Sequence, residues 1–146
     1  MADEDKAATA QVAEESVVNS HGEVFIDLDA RYGLRPDFEA IEQLERELKP
    51  LRALYSDAQA MEMSLADTGR AVAALMRGYG RAHPDDEAIQ VYRLAKPDRL
   101  ARLIYEHGVP KVQLRLAVLF MGALTGGYDA SGEAKTPVLT GTRAGE

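Results

Sequence analysis

The chain has 146 residues, 46% of them hydrophobic, with a formal net charge of −7 and a pI of about 5.0. That length and apolar content suit one domain with a real core, and the acidity disfavours general nucleic-acid binding, which calls for clustered cations. With no cysteine, disulfides, thiolate nucleophiles and Cys-type zinc sites are excluded, and the composition fits a reducing cytosol.

Residues 1–21 open with an acidic run and no apolar segment, so a secretory signal is not expected. Asp3, Glu4, Asp5, Glu14 and Glu15 face only Lys6, and no large aromatic residue interrupts them. This composition predicts a disordered acidic tail. From Gly22 onward the pattern changes. Val24, Ile26 and Leu28 alternate with Glu23, Phe25 and Asp27, Asp29-Ala30 offers a turn, and Tyr32 and Leu34 resume the alternation. A period of two broken by a short turn predicts a β-hairpin. Pro36-Asp37 stops it. Phe38, Ile41, Leu44 and Leu48 then mark a helical stripe that ends at Lys49-Pro50, since the residue before proline avoids helical backbone.

Residues 51–63 predict no more than a short helical turn around Leu51, Leu54 and Tyr55. Ser64 with Asp67 three residues later resembles a capping box and opens a helix along Leu65, Thr68, Val72, Leu75, Met76 and Tyr79. Gly78 and Gly80 are expected to end it. His83-Pro84-Asp85-Asp86-Glu87 opens the next, with carboxylates at the positive end of the helix dipole. Pro97 suits a first helical position, Leu100, Leu103 and Ile104 form a stripe, and Gly108 closes that helix. Pro110 starts the last helix, which runs to Gly126-Gly127. Its apolar run, Val112 to Leu124, is interrupted by Gln113 and Arg115 and is too short to cross a bilayer. Residues 126–146 are rich in Gly, Thr and Ser and predict a second disordered tail. The expected architecture is mainly α, with an N-terminal β-hairpin and about five helices in a small bundle over residues 22–125.

Reactive chemistry is sparse. His21, His83 and His107 lie far apart without ligands at metal spacing, so no metal or other cofactor is expected. Asp85, Asp86 and Glu87 fit helix-start charge complementarity better than an acid–base or Mg²⁺ cluster. The Gly78-Tyr79-Gly80 and Gly126-Gly127 clusters follow helices, whereas phosphate loops sit between a strand and a helix. No Gly-x-Ser-x-Gly elbow is present. The chain is therefore not expected to be an enzyme.

Two surface features stand out. Residues 37–48 are acidic, with Asp37, Glu39, Glu42, Glu45 and Glu47 against Arg46. Residues 93–115 are basic, with Arg93, Lys96, Arg99, Arg102, Lys111 and Arg115 against Asp98 and Glu106. These faces can meet within one chain or between copies in a homo-oligomer. The last helix is apolar nearly all round, so it is buried in the core or against a partner. Leu114, Val118, Phe120 and Met121, with Arg99 and Arg102, are the candidate protein-binding residues.

Gly22-Glu23-Val24, Ile26, Leu28, Tyr32, Leu34-Arg35-Pro36, Phe38, Ala40-Ile41, Leu44 and Glu45 form a pattern that resembles the tail assembly chaperones of gene transfer agents and siphophage-type prophages. Ser64-Leu65-Ala66-Asp67 with Val72, Ala73 and Leu75 is similar to the family's second helical block, and Leu103 to Val109 to its later helix–glycine break. The likeness spans most of residues 22–125. The family usually has glycine in the hairpin turn, where this chain has Asp29-Ala30-Arg31, and often ends its first helix with glycine, where this chain has Lys49-Pro50. The resemblance implies a non-enzymatic cytoplasmic factor that binds the tape-measure protein, keeps it soluble and helps recruit tail-tube subunits. It carries over no catalytic residue. The competing expectation is a helix-turn-helix regulator built from Pro97–His107 and Pro110–Leu124.

Overall fold

The computed structural model describes residues 17–135. The outer parts of both expected tails, 1–16 and 136–146, lie outside the described residues. The chain is mainly helical behind an N-terminal hairpin, as its periodicity predicts. Strands β1 (Val24–Asp27) and β2 (Arg31–Leu34) pair antiparallel, Val24 facing Leu34 and Ile26 facing Tyr32. Those four side chains are buried, which is the burial that their alternation requires. On the opposite face Phe25 meets the Tyr79 ring edge-on, with centroids 5.9 Å apart.

Six helices follow among the described residues: α1 (Phe38–Glu47), α2 (Leu51–Gln59), α3 (Leu65–Ala82), α4 (Ile89–Arg93), α5 (Pro97–His107) and α6 (Val109–Leu124). The extra helix is α2, which the sequence shows only as a short turn. It starts because Glu45 Oε2 accepts a hydrogen bond from the Leu51 N–H at 2.9 Å, and it buries Leu51, Leu54 and Ala58. Its neighbour α1 begins at Asp37, whose side chain accepts from the Ala40 N–H at 2.9 Å. For α3 the cap is Ser64, which accepts from the Asp67 N–H at 3.0 Å, as its position predicts.

The core is built around α3, against which α1, α4, α5 and β2 all pack, while α6 packs on α2 and reaches β1. Gly78 and Gly80 do not end α3; the helix continues to Ala82. Gly78 is there for closeness. A Cβ on it would sit 2.3 Å from the Arg35 carbonyl oxygen, so only glycine lets the hairpin exit pass over this helix. The His83–Glu87 segment is a turn rather than a helical start: Asp86 Oδ1 accepts from the Ala88 N–H at 2.7 Å, and α4 is a short five-residue helix. Gln113 is also misplaced by its chemistry. It is buried, donating through Nε2 to the Met63 carbonyl at 2.9 Å and to Thr68 Oγ1 at 3.0 Å, and so ties α6 to the start of α3.

Packing extends past both ends of the 22–125 segment. Val18 bridges to Val24, and Val17 packs on the core. After α6 the chain folds back: the Tyr128 hydroxyl donates to the Gly22 carbonyl at 2.8 Å, and the Ala134 N–H donates to the His21 carbonyl at 3.0 Å. Gly22, at φ +80°, lies under Tyr128 and Ala134, where a Cβ would come within 2.8 Å of both. Residues 126–135 thus form a clasp over the hairpin entry.

Candidate protein-binding surfaces

Among the described residues the buried charged side chains are Glu23, Arg35 and Asp37, and they lie close together. Glu23 is fully buried, and its carboxylate accepts from Arg35 at 2.8 Å and from Asn19 Nδ2 at 2.8 Å, with His83 Nε2 at 2.6 Å. Glu23 and Arg35 sit beside the paired ends of β1 and β2, so the hairpin register brings them together. Burial is the largest influence on Glu23 and opposes its ionisation. The hydrogen bonds from Asn19, His83 and Arg35 together outweigh it and hold the carboxyl below its ordinary value. Arg35 also donates to the Ser131 carbonyl at 2.7 Å, which joins the pair to the clasp. Beside it, Arg81 grips Asp37 through two bonds of 2.8 and 2.9 Å. Each of these groups is satisfied by another part of the chain; Arg81 alone among them also lines a surface cavity of about 240 Å³, with Arg77, Pro84 and Arg93. The cluster is a lock that pins hairpin, α3 and clasp together.

An aromatic stack continues the lock: Tyr79 lies 4.1 Å from the His83 ring and 4.7 Å from Tyr92. Burial pushes the Tyr79 hydroxyl up to about 12. Tyr92 uses its hydroxyl to accept from the Gly33 N–H at 2.9 Å. Among the described residues no group of three or more His, Asp and Glu side chains is placed to hold a metal ion. No helix among them is long and apolar enough to cross a membrane.

The outside of the molecule is more informative. On α6, Val112, Leu116, Leu119 and Phe120 face the core, while Leu114, Val118 and Met121 are 48%, 53% and 41% exposed. Their spacing of four and three residues lines them along one side of the helix. Of the four apolar candidates, three therefore form an outward stripe. Phe120 does not: it is fully buried, because its position falls on the core side of the same helix. An apolar groove of about 290 Å³ opens near the C-terminal end of α6, lined by Pro36, Phe38, Ile41, Leu51, Ala123 and Tyr128. Phe38 is 61% exposed there. The remaining candidates, Arg99 and Arg102, lie on α5, in a shallow cationic groove of about 650 Å³ with Arg70 and Lys96. Arg99 reaches Asp29 at 2.8 Å, and the Tyr32 hydroxyl, donating to Asp29 at 2.7 Å, is the chief cause that holds that carboxyl below its ordinary value. The six candidates thus divide into an apolar stripe, a cationic groove and one core residue.

The acidic face of α1 and the basic face of α5 do not pair within the chain. No ion pair or hydrogen bond joins the two helices among the described residues. Sequence reasoning did not find the clasp or the exposure of Phe38 and Leu94. Leu94 ends α4 at 66% exposed, and a short helix carries too few turns for periodicity to show which side faces out.

Comparison with protein-family models, curated proteins and solved structures finds no match.

Proposed function

We propose that the protein is an assembly chaperone of the phage-tail type, which shields apolar helical surface on a tape-measure protein and helps recruit tail-tube subunits. The observation that carries this reading is the outward stripe of Leu114, Val118 and Met121 on α6. Apolar side chains in register on one helix face fit the helix-against-helix mode of recognition. Methionine, with its flexible thioether, lets such a surface accept varied sequence. The likeness of residues 22–54 to tail assembly chaperones supports the same reading. The locked interior supports it too, since the charged groups are committed to holding the fold. Modest affinity at each site, repeated over many copies along one long partner, gives tight coverage that can still be released.

The helix-turn-helix alternative has less in its favour. Only Gly108 separates α5 from α6, whereas that motif uses a turn of about three or four residues. The outward side of α6 also presents Leu114, Val118 and Met121 in place of groups that read base edges.

The test is co-expression with the tape-measure product encoded beside this chain's own gene. Wild-type protein should keep that product soluble and co-purify with it, while Leu114→Asp with Val118→Asp should lose both effects at an unchanged melting temperature. A tape-measure product that is equally soluble with and without this chain would refute the proposal.

A further inference from the structure

We propose that copies of this chain associate head to tail, the acidic outer face of α1 on one copy seating in the cationic groove beside α4 and α5 on the next. Both halves of that contact are present on the same molecule. Phe38, Glu42 and Glu45 lie on one side of α1 with Glu39 at its border, and Phe38 is 61% exposed. The groove is lined by Arg70, Lys96, Arg99 and Arg102 with the carboxylate of Asp98, and Asp29 and Asp67 pair with Arg99 and Arg70 from beside it. It continues through Lys96 and Arg99 into an apolar hollow of about 350 Å³ floored by Tyr32, Met76 and Leu100, with Leu94 at its edge. An exposed aromatic flanked by carboxylates is the complement of an apolar hollow rimmed by cations.

Among the described residues these charges are only partly satisfied: Glu39 pairs with Arg81 at 2.8 Å, Arg99 with Asp29 at 2.8 Å and Arg70 with Asp67 at 3.4 Å, and Glu45 accepts from the Leu51 N–H, which leaves Glu42, Lys96 and Arg102. Glu42 has only Arg46, at 4.0 Å, on its own helix. Lys96 and Arg102 have no ion pair among the described residues. Because α1 and α5 flank α3 without bonding to each other, one copy cannot close its own acidic face onto its own groove. Two different patches in contact make a heterologous interface, which builds a ring or a filament. This inference stands apart from the proposed function, since it concerns the protein alone.

Sedimentation velocity across a concentration series, in NaCl from about 0.05 to 0.5 M, reads the outcome. Wild-type protein should form larger species with rising concentration, and the salt should weaken them by about tenfold or more. Glu39→Lys with Glu42→Lys, and separately Lys96→Glu with Arg102→Glu, should each leave monomer. The first variant removes the Glu39–Arg81 pair while Asp37 still holds Arg81, and thermal melts check that both variants are folded. Mixing the two variants should restore association, because each reversed face then meets its complement. A wild-type chain that stays monomeric throughout overturns the proposal, and so does a mixture that fails to associate. Neither result bears on tape-measure binding, which the co-expression experiment reads separately.

Discussion

Replacing Arg35 with Met strips the cation from a carboxylate that has no contact with water. Glu23 would keep Asn19 and His83, and the Ser131 carbonyl would lose its 2.7 Å donor. Breaking a buried ion pair from one side costs about 3–5 kcal/mol. The side chains are 8% and 0% exposed, so solvent screening softens this little. The two remaining donors on Glu23 place the loss near the lower end, about 3 kcal/mol. For a domain of this size that is a fall in melting temperature of roughly 10–15 °C. The double variant Glu23→Leu with Arg35→Met leaves no buried charge and should recover at least half of the loss, because the cost lies in the orphaned carboxylate. Calorimetry and urea titration of the wild type, the single and the double variant read it out. A single variant within about 1 kcal/mol of wild type, or a double no better than the single, refutes the lock.

Three further predictions test other parts of the structure. The Glu23 carboxyl sits below its ordinary value of 4.5 in the folded protein, so its contribution is present above that pH and is lost as pH falls through the folded value; Glu23→Gln should flatten the acid limb of stability measured by urea titration. The Tyr79 and Tyr128 hydroxyls are pushed up to about 12, mainly by burial, so stability should decline as pH rises from 10 toward that value, and an ultraviolet tyrosinate titration should show these two ionising last. Gly78→Ala should destabilise by about 1–3 kcal/mol despite alanine's better helix propensity, because the new methyl would meet the Arg35 carbonyl at 2.3 Å; a urea midpoint equal to or above wild type would contradict this.

Periodicity made some of this architecture legible and geometry hid the rest. Val24, Ile26, Tyr32 and Leu34 announce the hairpin because a half-buried strand must alternate, and Ser64 announces α3 because a helix start needs an acceptor for its free N–H groups. Gly78 misleads because glycine serves both helix ends and close approach, and only the path of Arg35 over α3 shows which applies. On α6 the near-uniform apolarity conceals the division between the core side, with Phe120, and the outward stripe, with Val118. Tyr128 follows two glycines in a segment of loop composition, so nothing local signals that its ring and hydroxyl are anchored at Gly22, 106 residues earlier. The Glu23–Arg35 pair depends on hairpin register, which the spacing suggests only once the turn is known.

Hydrogen–deuterium exchange of the protein alone and mixed with the proposed tape-measure partner asks most directly whether this chain works by covering apolar surface. Protection gained along residues 111–124, centred on Leu114, Val118 and Met121, is the predicted result. An α6 whose exchange is unchanged when the partner is bound would contradict it.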